Sequence, residues 1–223
     1  EGMTPQGLVK VVNCYLSTMS EPVRAHRGII DKCTLLSCGN VGAWFYQADE
    51  GLVSNSVFIN NDHGIVGSLC KSIAILHNTL FNDSGFSGTT PWLVYVSLAD
   101  DRGQGEEDTG VLTLKNNILF AQAGGGVLVY EKDVTHIDSD YNDMWSPGDG
   151  PIVEVREPTA GGGMSQDQIQ TLPAWQIRAG ADDHSLSEEP SFIKPAHDEV
   201  SAAIDLGLLA NTDIAGKGKL LAD

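Results

Sequence analysis

The side chains with the widest chemical reach in this sequence fall in five short segments: VRAHR (23–27), AWFYQ (43–47), IVGSL (65–69), WLVYV (92–96) and VLVYE (127–131). They carry Arg24 and His26, Trp44 and Tyr46, Ser68, Tyr95, and Tyr130 with Lys132 just beyond it. A guanidinium or a phenol can donate hydrogen bonds to developing negative charge, and an imidazole can move a proton near neutral pH. Aromatic faces with a polar tip are what sugar rings dock on. Alternating segments of this kind read as strands whose side chains point to opposite faces. Taking Val23, Ala25, Phe45, Ile65, Gly67, Val94, Val127 and Val129 as inward leaves Arg24, His26, Trp44, Tyr46, Ser68, Tyr95 and Tyr130 outward. The opposite parity would bury the charged Arg24 together with His26, which is costly.

Other chemistries find less support. Inverting glycoside hydrolysis needs two carboxyl groups across the scissile bond, whereas Asp49, Asp62 and Glu131 fall at strand ends or on the inward parity. Asp62 and His63, in NNDHG (60–64), form a polar pair whose residue types suit a turn. The stretch DDRGQGEED (100–108) carries five carboxylates that can gather around Ca2+. It lacks the D-x-D-x-D-G spacing of an EF-hand loop, so a solvated acidic loop is the simpler reading and no metal ligands are assigned. The GGG runs at 124–126 and 161–163 sit in no phosphate-loop motif, and no nucleophile–His set has local support. Cys14, Cys33, Cys38 and Cys70 form no CxxC pair and read as free, buried thiols.

The elements that must position these residues announce themselves as a repeat. Alternating apolar residues, then Asn or Cys, one variable residue and two large apolar residues recur in VKVVNCYL, IIDKCTLL, LVSNSVF, AILHNTLF, LTLKNNILF and IDSDYNDMW. Aligned on the polar position these give Asn13, Cys33, Asn55, Asn78, Asn117 and Asn142, at intervals of 20, 22, 23, 39 and 25 residues. An interval of roughly 20 to 25 residues holding three short strands is one coil of a β-helix. The longer interval fits one coil plus insertions in NDSGFSGTTP and SLADDRGQGEEDTG, both rich in loop formers. Stacked amides at one corner can bond each other and the turn backbone, with Cys33 replacing an amide as a small hydrophobe. The expectation is an all-β, right-handed parallel β-helix of about six coils in one domain spanning 1–223, with coils over 8–157 and a closing region over 158–223.

Composition agrees with that class and limits the partners. Charged residues are only 19% of the 223, apolar residues 41%, and glycines number 25, which suits a turn-rich β protein. Thirty acidic residues against 13 basic ones give a net charge of −17, a field that repels phosphate backbones and anionic membranes. Neither nucleic acid nor a membrane is an expected partner. The same field disfavours a polyuronate unless a cation bridges the two, though strong acidity also serves solubility alone.

Beyond the repeat, DYNDMW (140–145), LPAWQIRAGADDHSLSEEPSFIKP (172–195), AAIDLG (202–207) and DIAG (213–216) resemble the closing coils and C-terminal cap of pectate-lyase-like right-handed β-helix proteins, especially bacterial extracellular members. The resemblance spans roughly residues 8 to 216. It makes Trp175 and Phe192 cap core and gives Asp183 and His184 turn hydrogen bonds. It also implies that the five segments are the first strands of successive coils, whose outer face binds polysaccharide in the family's enzymes. His26, Tyr46, Ser68, Tyr95 and Tyr130 would then form one stripe, flanked by Arg24 and Trp44.

On that placement Arg24, His26 and Tyr46 lie one coil apart, about 5 Å, and form the candidate catalytic corner of a polysaccharide lyase. Trp44, Ser68, Tyr95, Tyr130 and Lys132 become candidate substrate-binding residues, with Lys132 about four coils away from that corner. The alternative is a non-catalytic solenoid, either an adhesin or an interaction module. Both point to a polysaccharide or oligosaccharide partner and a secreted or cell-surface location, with no cofactor assigned. Such folds have an N-terminal cap that residues 1–7 are too few to supply, so an upstream domain or self-association at the first coil is expected.

Overall fold

The computed structural model describes residues 27–36, 38, 40–82, 91–97, 110–121, 125–131, 134–146, 150–160, 164–190, 192–194 and 205–208. Their strands run in consecutive triplets. The first is β1 (Arg27–Asp31), β2 (Thr34–Leu36) and β3 (Val41–Tyr46). The second is β4 (Glu50–Ser54), β5 (Val57–Ile59) and β6 (His63–Ser68). The third is β7 (Ser72–Leu76), β8 (Thr79–Asn82) and β9 (Trp92–Ser97). The fourth is β10 (Gly110–Lys115), β11 (Ile118–Ala121) and β12 (Gly126–Glu131), and the fifth is β13 (Val134–Asp140), β14 (Asp143–Trp145) and β15 (Val153–Pro158). Each strand pairs in parallel with its counterpart in the next triplet, so three sheets wrap one core.

This is a parallel β-helix, and the five strands β1-β4-β7-β10-β13 mark about four turns. The expected count of about six coils is not reached among the described residues, since the coil placed at Asn13 lies outside them. The 39-residue interval holds a single turn, as expected, because Asn78 and Asn117 bond across one coil step.

Chain pattern explains the core. Inward columns stack in register: Leu35, Phe58, Leu80, Leu119 and Met144 on the second sheet, and Ala43, Ile65, Val94, Leu128 and Val153 on the third. All are buried, each large one contributing about 2 kcal/mol. Size alternates where space is short. A Cβ on Gly51 would lie 2.9 Å from the Phe45 ring, so the glycine is what lets that ring lie flat inside the coil. Among the described cysteines Cys70 is buried and free as expected, while Cys33 and Cys38 are free but only half-buried; Cys14 lies outside the described residues.

The corner between the first and second sheets holds the ladder, with one correction. Lys32, Asn55, His77, Asn116 and Tyr141 each adopt a left-handed conformation, φ between 48° and 57°, and the residue that follows points into the corner. Ser56, not Asn55, therefore occupies the ladder. Asn55 is exposed and donates to Asp31 Oδ1 at 2.9 Å. Asn is the non-glycine residue that best tolerates this conformation, which is why aligning on residue type misplaced it by one. The chain of bonds runs from Cys33 N–H to Ser56 Oγ (3.1 Å), Ser56 N–H to Asn78 Oδ1 (2.9 Å), Asn78 N–H to Asn117 Oδ1 (2.9 Å) and Asn117 N–H to Asn142 Oδ1 (3.0 Å). Each asparagine also donates across to a strand carbonyl: Asn78 to Val53, Asn117 to Ile75 and Asn142 to Leu114.

The closing region continues this ladder. β16 (Met164–Ile169) pairs antiparallel with β15, and α1 (Leu172–Ala179) follows, capped by the Thr171 hydroxyl and by Gly180 at φ 62°. Trp175 is fully buried against Tyr130, ring centroids 5.8 Å apart, as expected of cap core. Its indole donates to Asp182 Oδ2 at 2.8 Å, while Asp182 Oδ1 accepts from Ser185 and Asn142. Asp140 accepts from the backbone N–H of His184 and lies 2.9 Å from its ring, so His184 takes a bond to the last coil. β17 (Phe192–Lys194) and β18 (Asp205–Leu208) pair antiparallel. DIAG (213–216) and the first half of AAIDLG (202–207) lie outside the described residues.

Leu186 bridges in parallel onto Asp143, the last member of an outward column reading Thr34, Val57, Thr79 and Ile118. Asp143 is 4% exposed; Oδ1 accepts from Glu188 N–H at 3.0 Å, and Oδ2 has no partner among the described residues. Burial raises its carboxyl to about 7, Glu188 adding repulsion and its N–H opposing.

Two stability predictions follow from the ladder and its cap. Asn117→Ala leaves an Asn78 N–H and an Ile75 carbonyl without their partner, and should lower the unfolding free energy in urea by about 3 kcal/mol. Asn55→Gly, off the ladder, should change it by about 1 kcal/mol or less. For Asp143 the folded pKa lies above the unfolded value of about 3.9, so its contribution is full below that value and lost as pH rises through about 7. Asp143→Asn should remove this downward slope in urea midpoints measured from about pH 4 to about pH 8.

Candidate functional site

The sheet β3-β6-β9-β12-β15 carries the described members of the candidate site, all but Tyr130 on its outer face. At the start of each strand two successive residues turn inward, as the chain bends into the coil. Gly42 and Gly64 show why: a Cβ there would meet Phe58 at 2.8 Å and Leu80 at 3.0 Å, both core residues. Leu93, Val127 and Ile152, at equivalent positions, are core themselves. Alternation then proceeds, leaving two outward columns. One reads Trp44, Val66, Tyr95, Val129 and Glu154; the other reads Tyr46, Ser68 and Ser97 and ends at Glu131 and Arg156, so Glu131 stands in register on the outward column and not on the inward parity expected of it.

At the upper end Trp44 is 55% exposed, and its position is held from two sides. Its indole N–H donates to Ser68 Oγ at 3.2 Å, and its ring meets Tyr46 edge-on, 6.0 Å between centroids at 78°. These contacts come from different coils and from alternate residues of one strand, so they depend on the register of β3 and β6.

The single stripe expected from the sequence is not formed. Tyr95 is outward but belongs to the Trp44 column, two residues from the Tyr46–Ser68 column. Tyr130 points inward: it pairs with Val96 and Val155, aligns with Phe45 and Gly67, and packs under Trp175. Val129, taken as inward, is the outward residue, although it is buried. The cause is the length of the corners. WLVYV is displaced by two residues from the true alignment, which preserves parity, whereas VLVYE is displaced by one, which reverses it. Arg24, His26 and Lys132 lie outside the described residues, as does the acidic stretch 100–108. Among the described residues, no three His, Cys, Asp or Glu side chains are grouped to hold a metal ion.

At the lower end the structure joins Glu154, Arg156 and Gln168, which the sequence left unassigned, to the expected binding residue Tyr95 and to His63 of the turn pair. Arg156 Nε donates to Glu154 Oε1 at 2.7 Å, and Gln168 of β16 donates to Glu154 Oε2 at 2.8 Å, so both oxygens of a 2% exposed carboxylate are engaged. Arg156 Nη1 reaches the Tyr95 hydroxyl at 3.3 Å, its guanidinium carbon 5.2 Å from the ring centre. His63 leans on Tyr95 at 6.0 Å, and its Nδ1 accepts the Trp92 N–H at 3.2 Å, which leaves Nε2 as the protonated nitrogen. Burial holds the His63 pKa below its usual value against the pull of Asp62, so the ring is neutral at neutral pH. The alternation V-E-V-R in 153–156 was the available signal for Glu154 and Arg156.

A recess of about 250 Å³ lies elsewhere, on the first sheet beside Lys115, Asp138, Tyr141 and Gly180. Among its charges Lys115 pairs with Asp138 at 2.6 Å, and Asp140 pairs with nearby His184 at 2.9 Å. It shares no residue with the aromatic face.

A family model described as a right handed beta helix region matches residues 24–141. Searches of curated proteins and of solved structures return no significant match.

The two ends of the face should differ in their structural weight. Glu154→Ala strands a largely buried guanidinium and should cost about 3 kcal/mol in chemical denaturation. Trp44→Ala, at an exposed ring, should cost about 1 kcal/mol or less.

Proposed function

The chain belongs to the right handed beta helix region family, and from that premise we propose that the outer face of its third sheet binds a polysaccharide or oligosaccharide. The observation that carries this reading is Trp44, a large aromatic face left in solvent yet oriented by Ser68 and Tyr46. An exposed, pre-oriented ring suits stacking against the CH face of a sugar and loses little side-chain freedom when it does so. Tyr95 lies in the same column two coils on, about 10 Å away, within reach of an extended oligomer. An extracellular or surface location goes with this reading.

Binding without turnover is the form the described residues favour. The carboxylate described on this face, Glu154, has both oxygens occupied, which leaves no free pair for glycoside hydrolysis. A lyase corner of Arg24, His26 and Tyr46 remains a separate proposal.

Calorimetric titration against a panel of extracellular polysaccharide oligomers tests the reading. At least one glycan should bind, and Trp44→Ala should weaken it by about tenfold or more without changing thermal unfolding by more than a few degrees. A protein that binds no glycan on the panel overturns the reading. Ultraviolet absorbance and reducing-end assays on the same panel should stay flat; unsaturated products lost in His26→Ala would establish the lyase form instead.

A further inference from the structure

We infer that the lower end of this face is a subsite that reads the hydroxyl groups of an uncharged sugar, through Arg156, Tyr95 and His63, with Glu154 cancelling the charge of Arg156. The inference rests on the carbohydrate-binding reading and names the substrate class within it. A site built for a uronate would keep a guanidinium free to pair with the sugar carboxylate. Here the guanidinium is given to a carboxylate of the protein itself, one strand alternation away, and that carboxylate is fixed from its other side by Gln168.

Among the described side chains on the outer face of β3, β6, β9, β12 and β15, Glu154 and Arg156 are the charged ones. His63 is a neutral donor through Nε2, Glu154 balances Arg156, and the neighbouring positions, Asp62 beside His63 and Glu131 in register with Arg156, bring no further cation for a uronate to pair with. What it offers is a fan of polar atoms: the His63 Nε2–H, the Tyr95 hydroxyl, and Arg156 Nη2, which has no bond to a described residue. Sugar hydroxyls both donate and accept, and such a fan suits them. The long-range field points the same way, since a net charge of −17 repels a polyuronate and leaves an uncharged glycan unaffected.

A pair retained only to fasten β16 would give the same hydrogen bonds but no preference between sugars, and this separates the two roles. The wild-type protein is titrated with oligomers of equal length, glucan, xylan and mannan on one side and galacturonate and alginate on the other. An uncharged oligomer should bind about tenfold or more tighter than either uronate, with affinity unchanged between about 0.05 and about 0.5 M sodium chloride. Glu154→Gln keeps the side-chain shape and releases the charge of Arg156. It should narrow that preference by about tenfold, through a gain in salt-sensitive uronate binding.

Tighter wild-type binding of a uronate, falling with salt, overturns the inference while leaving the carbohydrate-binding reading intact. An unchanged preference in a folded Glu154→Gln protein also overturns it and assigns the pair to fastening alone. Absence of binding to any oligomer overturns both readings. The wild-type comparison needs no variant, so it decides the substrate class even where Glu154→Gln fails to fold.

Discussion

Each coil of this protein must hand its corner N–H groups to the next coil, because the strands there have ended and water is excluded. The ladder through Cys33, Ser56, Asn78, Asn117 and Asn142 meets that need with a side-chain oxygen one coil on, and the amides add a second bond to a strand carbonyl. An unpaired buried amide costs about 1 to 3 kcal/mol, so the ladder sets which residues of neighbouring coils face each other. Strand register follows from it, and columns of side chains follow from register.

Those columns are what place Trp44 against Ser68 and Arg156 against Tyr95. No single strand contains either contact. Trp44 and Ser68 are 24 residues apart, and Arg156 and Tyr95 are 61 apart, yet each pair is brought together by stacking of parallel strands. The outer face thus has two characters on one scaffold, an exposed aromatic end and a polar, charge-balanced end, separated by Val66 in the column between them.

The closing region finishes the ladder with different chemistry. Asn142 meets Ser185 and Asp182 in place of another amide, and Asp182 also holds the indole of Trp175 over the end of the core. A buried carboxylate with three engaged partners can substitute for a further coil, since it accepts bonds from above and beside at once. Asp143, in the same region, has an oxygen left without a described partner, which makes this closure sensitive to pH.

The repeat alone determined the fold class and the single long coil, because stacking a core along one axis forces a period onto the apolar residues and the corner asparagines, whereas the cap role of Trp175 came from the resemblance of the closing region to those of other β-helix proteins. Alternation within AWFYQ also set the outward position of Trp44. The sequence pattern failed where two residue types can do the same job: Asn55 suits the left-handed corner as well as the ladder, and only the backbone conformation assigned the ladder position to Ser56. It failed again at Tyr130, where a corner one residue longer than assumed reversed the parity of the strand. Tertiary structure alone joined Glu154, Arg156, Gln168, Tyr95 and His63, since register between strands depends on corner lengths and on contacts across coils, and neither is written in the alternation of any one strand.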